Sequence, residues 1–139
     1  MQGHHAGCHV VAIDMAKPGL VHQRLERLLV RVHAASVHPD VWHVVEGVPY
    51  VLRLMGNGVR RPVLRIPGTD LAGVVEAAGA SVTRFRPGDE VFGESTTFAW
   101  KNGGAFAEYA AVREDLLAPK PASVSFEQAA TVPTSGFIA

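Results

Sequence analysis

The side chains of this sequence with the widest chemical range are its seven histidines. Imidazole changes charge near neutral pH and can act as acid, base or metal ligand. His38 and His43 share a stretch with Pro39, Asp40 and Trp42 that has no helical or strand period. Loops held by a rigid scaffold are where binding residues concentrate, so the pair reads either as a functional loop or as surface or satisfied-core histidines. His4, His5, Cys8 and His9 have metal-ligand spacing. The competing reading is a start-proximal segment that picks up metal only adventitiously. Arg60, Arg61 and Arg65 form a local basic patch, read as a solvated loop or as a contact for a cofactor phosphate.

What is missing narrows the chemistry further. The sequence contains no Gly-x-Gly-x-x-Gly after a strand, no phosphate loop ending in Gly-Lys-Ser/Thr and no Gly-x-Ser-x-Gly elbow. Any nucleotide cofactor therefore finds at most half its site here. The single cysteine excludes an intrachain disulfide and a multi-cysteine zinc lobe. Thirteen basic and thirteen acidic residues leave a formal charge of zero, which argues against nucleic acid or anionic membrane as a partner. No apolar run approaches the roughly 20 residues of a membrane span, and no secretory signal is visible at the start. A soluble, cytoplasmic protein is the expectation.

The elements that must position these groups are mostly strands. Fourteen glycines and nine prolines in 139 residues favour a turn-rich β domain. Val30, Val32 and Ala34 alternate with Arg31 and His33, the period of a half-buried strand. Leu71 to Ala78, apolar apart from Glu76, suits a strand buried on much of both faces. Arg86-Pro87-Gly88-Asp89 is a turn with Pro and Gly at its centre. Glu90 to Gly93 and Ala105 to Val112 read as further strands, Val10 to Ile13 as a short one, and Tyr50 to Met55 as a short helix. Ser125-Phe126-Glu127-Gln128 has the form of a capping box, predicting one helix from Phe126 towards the end of the chain despite Pro133. Gly73 and Gly79 are expected to allow close backbone approach and positive φ.

Taken in order, Gly68-Thr69-Asp70-Leu71-Ala72-Gly73-Val74-Val75-Glu76-Ala77-Ala78-Gly79, Phe85 to Gly93, Gly104 to Tyr109 and Ala129-Ala130-Thr131-Val132-Pro133 resemble the N-terminal catalytic domain of medium-chain dehydrogenase/reductases. The resemblance implies a mainly β fold, a GroES-like, partly open β-barrel with short helices. Its domain plan is a poorly matched segment over 1–27, the barrel over 28–125 and the start of a linking helix over 126–139. The nucleotide-binding domain is absent from the sequence.

Zinc-dependent relatives carry Cys at the position of His38 and His-Glu where this chain has Thr69-Asp70. One imidazole and one carboxylate fall short of three protein ligands, so the resemblance places the chain in the zinc-free, quinone-oxidoreductase-like and reticulon-interacting-protein-like branch. There the usual Ser-Val-Asn-Pro loop brings its Asn near the nicotinamide and substrate. Here the loop reads Ser36-Val37-His38-Pro39, and Ile138 replaces the Thr that normally lies near the nicotinamide. The implied roles are His38 and His43 as catalytic candidates, His38 also at the cofactor ring, and Trp42, Tyr50 and Phe98 as pocket walls. No metal is expected. The implied activity is hydride transfer from NADPH to a quinone, enone or related carbonyl compound, with a homo-oligomer compatible with that reading. The 139 residues alone are expected to be inactive, with Phe126, Phe137 and Ile138 losing any partner surface on the missing domain. The alternative is a stand-alone barrel serving as a binding or assembly module, or a remnant without function.

Overall fold

The computed structural model describes residues 26–38, 41, 46, 66–96 and 104–138, the side chains of the last two of these excepted. Five strands form one antiparallel sheet: β1 (Arg27–Ala35), β2 (Asp70–Ala78), β3 (Glu90–Glu94), β4 (Tyr109–Arg113) and β5 (Leu117–Pro119). Their order is β4-β1-β2-β3-β5. A 3-10 turn, Glu114–Leu116, joins β4 to β5. Two short helices follow, α1 (Phe126–Ala130) and α2 (Pro133–Ile138). The expected mainly β, GroES-like fold holds, as an open sheet with few short helices. Val10 to Ile13 and Tyr50 to Met55 lie outside the described residues.

Alternation along β1 and β2 sorts the sheet into two faces. Leu28 and Val30 from β1 join Leu71, Val75, Val91, Val112 and Leu117 in the main core, which Phe85 closes from a loop. On the other face Ala72 packs with Ala129 and Ala130 of α1, with Phe92 and Phe126 alongside. Small residues on both sides let the helix lie close to the sheet. β2 is buried on both faces only over its first half, and Glu76, Ala77 and Ala78 are exposed.

The β1–β2 register shifts between Leu29 and Val30 and again between Val32 and Ala34. These irregularities bend β1 onto its neighbour, and Gly73 lies where the backbones meet. A Cβ there would stand 2.1 Å from the Arg31 carbonyl oxygen. Close approach is thus the reason for Gly73, but positive φ is not. Among the described residues the positive-φ glycines are Gly68, Gly88, Gly93 and Gly104, and neither Gly73 nor Gly79 is among them. Gly88, at φ 96°, is the third residue of the Arg86–Asp89 turn. The Asp89 carboxylate accepts from the Arg86 amide at 2.8 Å and fixes that turn.

Two further sequence expectations are corrected. The strand predicted over 105–112 is confined to Tyr109–Arg113. Before it, the Ala105 and Phe106 amides donate to the carbonyls of Gly68 and Pro67, a pair of bonds that does not extend into a ladder. The continuous final helix is two helices. Ser125 and Gln128 do form the reciprocal capping box, but α1 stops at Ala130. Pro133 has no N–H to give to an α1 carbonyl and instead begins α2, where a missing donor costs nothing. Within this domain the Phe126 ring stacks on His33 at 4.5 Å between centroids, and Lys120 Nζ lies 5.0 Å from its centre.

Candidate active site

Asp70 opens β2, two residues before Ala72, so its side chain projects from the face that the helices cover. It is fully buried, which is costly for a carboxylate unless its oxygens are paired. They are. The Thr134 amide donates to Oδ2 at 2.9 Å and the Thr134 hydroxyl to Oδ1 at 2.7 Å. His38 Nε2 lies 2.8 Å from Oδ2. Ser36 Oγ is 2.9 Å from the same nitrogen. Three segments meet at one carboxylate: the loop leaving β1, the start of β2 and the first turn of α2.

His38 therefore has two side-chain partners, Asp70 and Ser36. Its side chain is nearly as buried as that of Asp70, and the Val41 amide closes a turn on the His38 carbonyl at 3.1 Å. His43, Trp42, Tyr50 and Phe98 lie outside the described residues, as do Arg60, Arg61, Arg65 and the His4/His5/Cys8/His9 cluster. Asp70 and Thr134 complete the constellation, and sequence reasoning assigned neither a role. Asp70 was visible only as an inadequate metal ligand. Thr134 follows Pro133 directly, and that position at the start of a helix was the available signal.

Glu94 stands opposite Asp70 in the β2–β3 register, so the two carboxylates share a face of the sheet. Burial and the negative charge of Asp70 push the Glu94 carboxyl above its ordinary range, with His38 acting in the opposite direction. Glu94 also borders a cavity of about 610 Å³ with Phe92, Leu117, Val132, Pro133 and Gly136. A mostly apolar cavity of that size, with the carboxyl groups of Glu94 and Asp115 in its wall, suits a small organic ligand. His38 lies outside that lining, and Glu94 is the residue that connects the cavity to the Asp70 cluster.

The donor set also bears on zinc. Two ligands on one tetrahedral zinc, each at about 2.0–2.1 Å, are held about 3.3 Å apart. His38 Nε2 and Asp70 Oδ2 are closer than this and bonded to one another, while the second Asp70 oxygen is taken by Thr134. Among the described residues no three His, Cys, Asp or Glu side chains gather as a metal site. Among the described residues, this donor set does not fit the ion.

Comparison with known proteins places the fold. Residues 25–122 match the alcohol dehydrogenase GroES-like domain. The chain belongs to that family. Among curated relatives of this GroES-like domain, it is 37% identical over 114 residues to a chloroplastic quinone-oxidoreductase homolog of Spinacia oleracea, covering 82% of this chain and 32% of the relative. It is 44% identical over 111 residues to the NADPH-dependent alkenal/one oxidoreductase of Arabidopsis thaliana, covering 78% and 27%. Among solved structures, the quinone oxidoreductase from Coxiella burnetii superposes with a TM-score of 0.67 at 30% identity, over 81% of this chain and 34% of that one. The chain thus spans about a third of the length of these relatives, in the N-terminal domain of the medium-chain dehydrogenase/reductase architecture. Among the described residues, no helix is long and apolar enough to cross a membrane.

Proposed function

We propose that this GroES-like domain is the substrate-facing part of a zinc-independent, NADPH-dependent oxidoreductase acting on a quinone, enone or related carbonyl compound. The observation that carries the reading is the buried His38–Asp70–Thr134 cluster beside a cavity bordered by Glu94. The relatives named for quinone and alkenal/one reduction support the substrate class. The cavity is of a size for a small organic ligand, whereas no described group is built to hold a pyrophosphate. The bulk of the dinucleotide would then be held by a nucleotide-binding domain, with the nicotinamide supplying the hydride when bound.

The chain's own residues would orient and polarise. His38, fixed by Asp70, offers a polar nitrogen to a carbonyl oxygen. His43, Trp42, Tyr50 and Phe98 remain the companions proposed from the loop sequence.

The test is oxidation of NADPH by the protein expressed from its full coding sequence, with a panel of quinones and α,β-unsaturated ketones. Turnover should survive exhaustive chelation and fall about a hundredfold in His38→Ala. Loss of turnover on chelation, restored by zinc, would remove the zinc-independent reading. Unchanged turnover in His38→Ala would remove the imidazole from the mechanism. No turnover with any acceptor would favour a binding module instead.

A further inference from the structure

The hydrogen bonds around His38 specify more than its position. Nε2 has two oxygen neighbours, Asp70 Oδ2 at 2.8 Å and Ser36 Oγ at 2.9 Å. An ionised carboxylate only accepts, whereas a serine hydroxyl can donate or accept. An unprotonated Nε2 would set its lone pair against a carboxylate oxygen at hydrogen-bonding distance, with no proton between them. A protonated Nε2 satisfies the carboxylate and leaves Ser36 as a second acceptor. Thr134 holds Asp70 in place by donating to both of its oxygens, so the carboxylate cannot rotate away from the ring. Among the described residues, Nδ1 has no hydrogen-bond partner.

We infer that Asp70 is a positioning residue, which holds His38 as the Nε2-protonated tautomer and leaves Nδ1 as the nitrogen that meets a ligand carbonyl or exchanges a proton. This rests on the role proposed for His38 above and identifies the atom through which that role is exercised. In the neutral ring Nδ1 is an acceptor, suited to a hydroxyl or an N–H on the ligand. In the imidazolium it is a donor, suited to a carbonyl or enolate oxygen. A proton given from Nδ1 to an enolate oxygen leaves the neutral Nε2–H ring that Asp70 already stabilises, and Nδ1 regains a proton from solvent. No rearrangement at Asp70 is needed in either direction.

Nitrogen NMR of imidazole-labelled protein tests the inference without cofactor or turnover. The His38 signals are assigned by difference from His38→Gln. In the wild type the neutral ring should show a protonated Nε2 and an unprotonated Nδ1; the reverse would overturn the inference. Ser36→Ala should retain that pattern, and a reversal there would make Ser36, not Asp70, the determinant. Asp70→Asn should shift both signals towards a mixture of tautomers, and a folded variant with the wild-type pattern would overturn the role of Asp70. Should Asp70→Asn not fold, Asp70→Glu takes its place, and recovery of the Nε2-protonated pattern is the expected result. Absence of NADPH turnover would leave all these spectra unchanged, so the two proposals fail separately.

Discussion

Thr134 reaches Asp70 across 64 positions of sequence and gives it two hydrogen bonds, one from its amide and one from its hydroxyl. That pair joins the first turn of α2 to the first residue of β2. It also fixes one wall of the cavity, since α2 contributes Pro133 and Gly136 to the lining. A single carboxylate therefore governs both the His38 ring and the helix beside the cavity.

Removing that carboxylate leaves buried donors without an acceptor. Asp70→Ala should lower unfolding stability by several kcal/mol, at about 1–3 kcal/mol for each buried donor left unpaired. Thr134→Val, which removes the hydroxyl and keeps the amide, should cost about 1–2 kcal/mol. Urea denaturation measures both. A Thr134→Val loss equal to that of Asp70→Ala would mean that His38 contributes nothing to holding the carboxylate.

Gly73→Ala and Gly88→Ala should differ in kind. At Gly73 the new methyl meets the Arg31 carbonyl, a backbone atom at 2.1 Å, and β1 must move. A loss of about 3 kcal/mol or more is expected, at the upper end of overpacking costs. At Gly88 there is open space around the added carbon, and only the left-handed backbone resists, at a cost of about 1–2 kcal/mol. Thermal denaturation of the two variants should therefore rank Gly73→Ala as the less stable.

Glu94 makes stability depend on pH. Burial and Asp70 raise its folded-state pKa, so the folded chain holds that proton more tightly than the unfolded chain. The stabilisation this provides is present at low pH and is lost as pH climbs from the ordinary glutamate range through the raised value. Glu94→Gln, uncharged throughout, should match the wild type in acid and exceed it at neutral pH. Denaturation midpoints across that window check the prediction, and parallel curves for the two proteins would count against it.

Ser125→Ala removes one half of the capping box and should cost about 1 kcal/mol. Helix α1 has only five residues, so the loss should appear first as faster amide exchange in α1, before any change in the sheet.

Local chemistry was legible in the sequence. The Arg86–Asp89 turn and the Ser125/Gln128 box each lie within four consecutive residues, β1 carries its alternation openly, and β2 shows as a continuous apolar run. β5 was not legible, because Leu117-Ala118-Pro119 is too short to show a period and exists by pairing with β3. The break between α1 and α2 was encoded in Pro133, against an otherwise continuous helical pattern. At the site, the Ser36-Val37-His38-Pro39 loop drew attention to the imidazole. Its partners were hidden because hydrogen bonds among residues 38, 70 and 134 leave no periodic trace along the chain.

The sheet order has a consequence for synthesis. β1 lies between β2 and β4, with Leu28 facing Ala78 on one side and Val112 on the other. A chain emerging from the ribosome presents β1 and β2 long before Tyr109–Arg113 has been made. Throughout that interval one edge of β1 carries unpaired N–H and C=O groups beside Leu28 and Val30, a surface inviting mispairing with other strands. The nascent chain should need shielding by chaperones until β4 arrives, and a ribosomal pause just before Tyr109 would lengthen its exposure.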